Sequence, residues 1–130
     1  MPMYTVSSRS QIPQDKKNQL AKLITDSHCG FTGAPRTFVN VIYSQNVSLE
    51  RGIAVNVLGN VRKGRTEESN KVLTEELHRD ISRLLNIRPQ DMELSLMEIP
   101  ARWVMEGGEV LPEPGEEDAC EWLQNGHSGE

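Results

Sequence analysis

The most distinctive chemistry in this chain belongs to a proline close to its start. Pro2 follows Met1, and removal of a methionine before a residue as small as proline would leave a secondary amine at the N-terminus. The pKa of an α-amino group is about 7.7–8.0, and a neighbouring guanidinium or partial burial lowers it further. Such an amine is a general base when neutral and a general acid when protonated. If Met1 is retained, the nitrogen of Pro2 is an amide and cannot act as a base.

Two arginines flank a glycine-containing turn in the segment VRKGRTEE. Arg62 and Arg65 lie where a predicted strand ends and a predicted helix begins. A guanidinium binds a carboxylate through two parallel hydrogen bonds, a geometry that lysine cannot reproduce, and the start of a helix also favours an anion. The pair therefore predicts a clamp for a small organic acid. The alternative is a solvated basic turn that pairs with Glu67 or Glu68.

Two further side chains are candidates for the same site. His28 lies at the end of the first predicted helix. There it either interacts favourably with the helix dipole or donates a hydrogen bond to a substrate carbonyl or carboxylate. Glu106 lies in WVMEGG, an apolar, glycine-flanked segment in which a carboxylate can have a raised pKa and activate water. Most glutamates are instead solvated surface charges.

The hydrophobic pattern predicts two β-α-β units that position these groups. In the first, residues 3–7 alternate as a strand does, and residues 37–44 are rich in β-branched and aromatic side chains. The helix between them is predicted to end in the segment that contains Gly30, Gly33 and Pro35. Its apolar face, at spacings of three and four residues, consists of Leu20, Leu23, Ile24 and Ser27.

The second unit repeats this order. Residues 53–61 are predicted as a strand, Thr66 as the N-cap of a helix, and residues 92–99 as the last strand, with Asn86 and Pro89 ending the helix. The helical stripe consists of Val72, Leu73, Leu77, Ile81, Leu84 and Leu85.

Together the two units predict an α+β fold with a four-stranded sheet and both helices on one face. No other predicted element could cover the opposite face, so self-association is the simplest way to bury it. Residues 103–111, interrupted by Gly107 and Gly108, predict a small hairpin that adds to the sheet edge of a neighbour. A short helical turn is predicted at residues 117–123.

The charge distribution divides the chain at about residue 112. The net charge is −5, and six of the 19 acidic residues but none of the 14 basic ones lie from Glu113 onward. Residues 1–112 are therefore predicted as one domain and residues 113–130 as an acidic tail. The domain carries a net charge of only about +1 and lacks the basic stripe that nucleic-acid binding requires.

The remaining composition predicts neither a disulfide framework nor a metal site. Cys29 and Cys120 are two cysteines without a C-x-x-C spacing, and the three histidines form no ligand cluster with them. There is no apolar segment of the kind that a signal peptide or a membrane span requires. We therefore expect a cytoplasmic protein with no membrane partner.

Four segments together resemble the tautomerase superfamily, and within it the cis-3-chloroacrylic acid dehalogenase group. They are the initial PMY, ITDSH at residues 24–28, RKGRTEE at residues 62–68, and EIPARWVMEGGEVLPEPGEE at residues 98–117. The resemblance covers the chain from Pro2 to about Glu117.

The resemblance implies more than the residues do alone. It implies a β-α-β-β-α-β fold, assembly as a homotrimer with an active site around each N-terminal proline, and no organic cofactor or metal. By this likeness Pro2 supplies the amine, and Arg62 and Arg65 bind the carboxylate of a small acid. His28 binds or polarises that substrate, and Glu106 activates water in the hydrolytic members.

One position departs from the dehalogenase pattern. That group has a tyrosine in the strand before EMP or EIP, which assists the glutamate in activating water, and this chain has Ser95 there. Serine is shorter and a poorer acid, so it needs a bridging water to reach the same point. Residues 45–53 also form a shorter stretch than in the typical dehalogenase.

Three functions remain open on the sequence. The first is a tautomerase of 2-oxo acids and their enols in which neutral Pro2 moves the proton; Ser95 favours this one. The second is a hydratase or hydrolytic dehalogenase of acetylenic or 3-halo-acrylic acids in which Glu106 activates water and cationic Pro2 protonates the substrate. The third is a trimeric binding scaffold without turnover.

Overall fold

The computed structural model describes residues 1–116 as a four-stranded sheet with two helices on one face, which confirms the predicted α+β class. Its elements are β1 (Met3–Ser8), α1 (Gln14–Thr32), β2 (Asn40–Ser44), β3 (Val55–Arg62), α2 (Glu67–Leu85), β4 (Met92–Ile99), β5 (Met105–Glu106) and β6 (Glu109–Val110). None of the helices within this range is long and apolar enough to cross a bilayer.

Local side-chain chemistry sets the ends of both helices. Thr66 is the N-cap of α2, as predicted, and its hydroxyl accepts a hydrogen bond of 3.0 Å from the backbone N–H of Ser69. At the other end Asn86 adopts the left-handed conformation, with φ of 54°. Gly33 does the same after α1, with φ of 73°, and its N–H donates to the Cys29 carbonyl. Glycine has no Cβ, so this cap carries little steric cost.

The sheet order is β2-β1-β3-β4, and it brings the two β-α-β units side by side. Within each unit the strands are parallel, β1 with β2 and β3 with β4. The units join through an antiparallel pairing in which Met3 lies opposite Asn60 and Tyr4 opposite Gly59. The start of β1 is therefore beside the end of β3, which places Pro2 near Arg62.

The face of the sheet under the helices forms the hydrophobic core. Alternate residues of every strand point to it, because side chains of a strand alternate between the two faces. Its fully buried members from the sheet and the helices include Tyr4, Val6, Leu20, Ile24, Val57, Leu77 and Ile81.

The opposite face carries no covering element from residues 1–116. Met3, Ile42 and Met97 lie on it with 37%, 46% and 52% of their surface exposed, among polar neighbours such as Asn60 and Ser95. A mixed apolar and polar sheet face of this kind is typical of an interaction surface.

The segment after β4 folds back toward the end of β3. The predicted hairpin is present as β5 and β6, joined by Gly107 and Gly108. Leu111 is buried, at 3% exposure, and Pro114 packs against Gly64, where an added Cβ would come within 3.0 Å of the proline ring. The chain therefore covers the arginine turn as far as residue 114.

Four details of the predicted elements are wrong. The third strand begins at Val55 rather than at residue 53. The second strand begins at Asn40 rather than at residue 37, because Pro35 is followed by a 3₁₀ turn at Arg36–Phe38. Helix α1 continues through Gly30, since the left-handed cap comes three residues later. Val72 is 44% exposed, while Leu73 next to it faces the core. The turn predicted at residues 117–123 lies outside the described residues.

Candidate active site

The N-terminus lies in a shallow cleft at the edge of the open sheet face. Pro2 is buried immediately before β1, and its carbonyl accepts a hydrogen bond of 3.0 Å from the backbone N–H of Asn40. The amine of Met1 forms an ion pair with Glu106 Oε1. The sheet and the hairpin thus bring the start of the chain and Glu106 together.

The cleft has a volume of about 410 Å³. Two exposed apolar side chains of the hairpin segment form part of its wall, Trp103 at 69% and Met105 at 66% exposure. The complete lining is Met1, Met3, Asn40, Asn60, Ile99, Trp103, Val104, Met105 and Glu106. A pocket that is mainly apolar with a few convergent polar groups is the usual form of a small-molecule site.

Arg62 and Arg65 lie at the end of β3 and in the turn before α2, as predicted. Arg62 is only 8% exposed, and its Nη1 donates a hydrogen bond of 2.8 Å to the carbonyl of Pro112. Arg65 Nη1 lies 3.5 Å from the Arg62 carbonyl. The carbonyl of Pro112, in the folded-back segment, therefore orients the guanidinium of Arg62. The backbone carbonyl of Arg62 in turn contacts the guanidinium of Arg65.

His28 faces inward from α1 and is 1% exposed. Its Nδ1 lies 2.8 Å from the hydroxyl of Tyr4. Burial lowers the pKa of His28 to about 4, and the positive charges of Arg65, Arg62 and the N-terminal amine lower it in the same direction. These groups therefore lie close enough to act on one another.

This environment corrects one of the two roles considered for His28. A charged imidazole interacting with the dipole at the end of α1 requires an exposed, protonated ring, and the ring is buried and neutral at pH 7. The other role, a neutral hydrogen-bond donor, is compatible with the structure. Because burial, and then the charges of Arg65 and Arg62, lower the pKa of its imidazole, His28 does not add a further positive charge to the site.

The lowered pKa of His28 predicts that the fold is sensitive to mild acid. Between the ordinary value of 6.5 and about 4, the unfolded chain binds a proton that the folded chain does not. The free energy of unfolding therefore falls as the pH decreases through this window and levels off below it. From pH 7 to 4.5 the loss should be roughly 2–3 kcal/mol.

Urea unfolding of the parent and of His28→Gln at both pH values is the measurement. Glutamine does not titrate, so the variant should lose less stability than the parent over the same interval. Equal losses in the two proteins would contradict the assignment of a buried, neutral His28.

Tyr4 is the member of this site that sequence reasoning did not select. Its signal is the alternation of β1, which places Tyr4 on the helix side, directly opposite Gly59 in the neighbouring strand. Burial raises the pKa of the Tyr4 phenol, so the hydroxyl is protonated at neutral pH.

Ser95 does not line the cleft of its own chain. It lies on the open face of β4, opposite Leu58 of β3, whereas the cleft is at Asn60.

Other open clefts within residues 1–116 are larger, and two of them lie along the outer side of α2. One, of about 660 Å³, includes His78 and Arg83. The other, of about 640 Å³, extends from Lys63 to Glu98 beside Arg65. Arg65 lines the second of these clefts, and Met1 and Glu106 line the smaller one, whereas Pro2, His28 and Arg62 line none of the three. Glu106 and the start of the chain favour the smaller cleft as the candidate site.

Comparison with known proteins gives a consistent result. The model of a family described as "Putative oxalocrotonate tautomerase enzyme" matches residues 1–127. Among solved structures, N1, a member of the cis-3-chloroacrylic acid dehalogenase (cis-CaaD) family, is 30% identical, with a TM-score of 0.84 over 95% of this chain and 92% of its own. We found no match among curated proteins.

Two further structures share the fold at lower identity. A wild-type fused 4-OT that forms a symmetric trimer is 24% identical, with a TM-score of 0.74 over 85% of this chain and 95% of its own. Pt0534 inactivated by 2-oxo-3-pentynoate is also 24% identical, with a TM-score of 0.74 over 84% of this chain and 96% of its own.

Proposed function

This chain belongs to the tautomerase superfamily, and we propose that it is a cofactor-independent tautomerase of small 2-oxo acids and their enols. The observation that carries the proposal is the buried imidazole of His28, which is 1% exposed. Burial lowers its pKa to about 4, and the positive charges of Arg65, Arg62 and the N-terminal amine lower it in the same direction. Cations around a neutral imidazole make a receptor for a small anion. Removal of Met1 would add a secondary amine able to exchange a proton there.

The proposed reaction uses each group once. The carboxylate of the enol docks on Arg62 and Arg65 through charge-assisted hydrogen bonds. Neutral Pro2 accepts the proton of the enol hydroxyl and delivers it to C3, while the C2–O bond becomes a carbonyl. Negative charge develops on the C2 oxygen during this transfer. The guanidinium groups and an N–H of His28 stabilise it, and fixed dipoles and charges of this kind usually make the largest contribution to catalysis.

The pH dependence of ketonisation tests this proposal. With phenylpyruvate enol as the substrate, kcat/KM should fall as the pH is lowered, because protonation of Pro2 removes the base. Ultraviolet absorbance of the enol between about pH 5 and 9, corrected for the buffer-catalysed reaction, is the measurement. A rate that rises toward low pH, or no rate above the buffer reaction, would contradict the proposal.

The second candidate function is hydration of an acetylenic acid or hydrolytic dehalogenation of a 3-halo-acrylate. Two observations favour it: the 30% identity to a cis-CaaD family member and the ion pair of Glu106 with the amine of Met1, which places this carboxylate beside the start of the chain. Here Glu106 removes a proton from water, whose oxygen bonds to C3, and cationic Pro2 protonates C2. The adduct of a halo-acrylate then loses the hydrogen halide. This reaction requires Pro2 in the opposite protonation state, so its rate falls toward high pH.

Glu106→Gln separates the two candidates. It should lower hydration by roughly 100-fold or more, because it removes the general base, and lower ketonisation of phenylpyruvate by less than about tenfold. Glu109→Gln is the matched control, since Glu109 is the exposed cross-strand partner of Glu106 in the hairpin. Equal effects of the two substitutions on hydration would exclude Glu106 as its base.

We also propose that the chain acts as a homotrimer. Support comes from the open sheet face, which leaves Ile42 and Met97 about half exposed, and from the trimeric assembly of a fused 4-OT with the same fold. The mass of the native particle in solution tests this, and a monomer at every concentration would contradict it.

A further inference from the structure

Tyr4 and His28 form a buried pair between β1 and α1. Tyr4 is 0% exposed and His28 1%, the phenol oxygen lies 2.8 Å from Nδ1, and the rings meet edge to face at 77° with centroids 5.7 Å apart. A hydrogen bond of this length between side chains so little exposed fixes the orientation of the imidazole.

The proton of the Tyr4 hydroxyl determines the direction of this hydrogen bond. A buried hydroxyl proton without an acceptor is costly, and among residues 1–116 the partner of the phenol is Nδ1 of His28. Nδ1 therefore accepts and carries no proton of its own. A neutral imidazole has one proton, which must then be on Nε2.

Gly59 provides the space for this arrangement. It lies directly opposite Tyr4 in the antiparallel pairing, and a Cβ at this position would be 2.5 Å from Tyr4 Cε1 and 2.8 Å from Leu96 Cδ2. Any larger residue would displace the ring that carries the hydroxyl. The glycine inside β3 thus has a packing role.

We propose that Tyr4 is a positioning residue that holds His28 in the tautomer with the proton on Nε2, so that the imidazole offers an N–H donor to the C2 oxygen of the bound acid. The inference rests on the proposed function for the identity of that acid. A fixed donor favours ligands with an acceptor oxygen beside the carboxylate, as in 2-oxo acids and enolates, over plain carboxylic acids, because the latter leave the donor without a partner.

Nitrogen-15 NMR of the resting protein tests the tautomer without any substrate. At pH 7 we expect His28, assigned by its loss in His28→Gln, to show an unprotonated Nδ1 and a protonated Nε2. The opposite tautomer, or a protonated ring, would overturn the inference. A protein that shows the expected tautomer but no turnover would contradict the proposed function and leave the positioning role intact.

Tyr4→Phe tests whether the tautomer of His28 matters for turnover, and Tyr43→Phe is the matched control. Tyr43, the other tyrosine of the chain, is partly buried, and its hydroxyl donates to the carbonyl of Lys17, away from the site. Tyr4→Phe should produce a mixture of His28 tautomers and lower kcat/KM for phenylpyruvate enol about tenfold, the effect of one lost hydrogen bond. Tyr43→Phe should leave both unchanged.

Ligand selectivity separates positioning from a general loss of structure. The ratio of the inhibition constants of 3-phenylpropanoate and a non-reactive 2-oxo acid should fall about tenfold in Tyr4→Phe, since only the 2-oxo acid uses the donor. An unchanged ratio, with both acids bound as in the parent, would overturn the inference. The tautomer of the parent remains decisive if the variant does not fold.

Discussion

Removing Met1 should raise kcat/KM for phenylpyruvate enol about 100- to 10,000-fold over that of the same chain with Met1 retained, the range that a positioned general base contributes. With Met1 present, the nitrogen of Pro2 is an amide without a basic lone pair. Without it, the nitrogen becomes a secondary amine at the start of β1, which lies beside the end of β3. The two forms share every other residue, so the difference isolates the amine. Fusions cleaved to begin at Met1 or at Pro2, each verified by intact mass, provide the pair for the assay.

A reactive acetylenic acid gives an independent measure of the same amine. 2-Oxo-3-pentynoate inactivates Pt0534, and conjugate addition of a neutral secondary amine to such a ligand forms a stable carbon–nitrogen bond. In the form that begins at Pro2, one adduct per chain on the N-terminal peptide should appear in step with loss of activity.

If Pro2→Ala turns over phenylpyruvate enol and halo-acrylates as fast as the parent, both catalytic proposals are wrong and the scaffold function gains support.

Replacing Arg65 by glutamine should lower kcat/KM for phenylpyruvate enol by about 10- to 150-fold, because it removes a hydrogen bond to the carboxylate, and hydrogen bonds to charged groups contribute roughly 1.5–3 kcal/mol. Arg65 is the better of the two arginines to change. The guanidinium of Arg62 is buried and bonded to Pro112, so its removal would also disturb the fold. Steady-state kinetics with the acid and with its methyl ester is the measurement, because the ester lacks the negative charge that we propose Arg65 to bind.

Arg51→Gln is the control for this substitution. Arg51 is exposed in the turn before β3, at the opposite end of that strand from Arg62. The control should behave as the parent does with both substrates. An Arg65→Gln variant that loses as much activity on the ester as on the acid would show that Arg65 does not act through the carboxylate.

The positions of the elements could be predicted closely from the sequence because local signals agreed with the tertiary fold. Residues 92–99 were predicted as a strand and form β4, and Thr66 was predicted as an N-cap and accepts from Ser69. The same signals failed at residues 37–39, where β-branched and aromatic composition predicted a strand. There Pro35 and the burial of Phe38 favour a 3₁₀ turn, and composition does not report burial.

The candidate site could be predicted only in part. Arg62, Arg65, His28 and Glu106 were selected by their types and their neighbours, and a cleft near the N-terminus was expected from the family resemblance. The burial of His28 and its contact with Tyr4 depend on how α1 packs on β1, which a single sequence does not specify. The fixing of Arg62 by the carbonyl of Pro112 joins residues 50 positions apart, and backbone acceptors leave no trace in side-chain patterns.

The pairing of Tyr4 with Gly59 has a consequence for the alignment of the two halves of the molecule. Sliding β1 along β3 by two residues would preserve every inward and outward side chain, so hydrophobicity alone does not choose between these alignments. Either slide, however, would place Tyr4 opposite Val57 or Val61. The branched side chain of the valine would then fill the space that Gly59 leaves open for the phenol ring. Gly59 therefore fixes the alignment of β1 with β3. This alignment keeps the N-terminus, in the first half, at the same end of the sheet as the guanidinium groups of Arg62 and Arg65, in the second half.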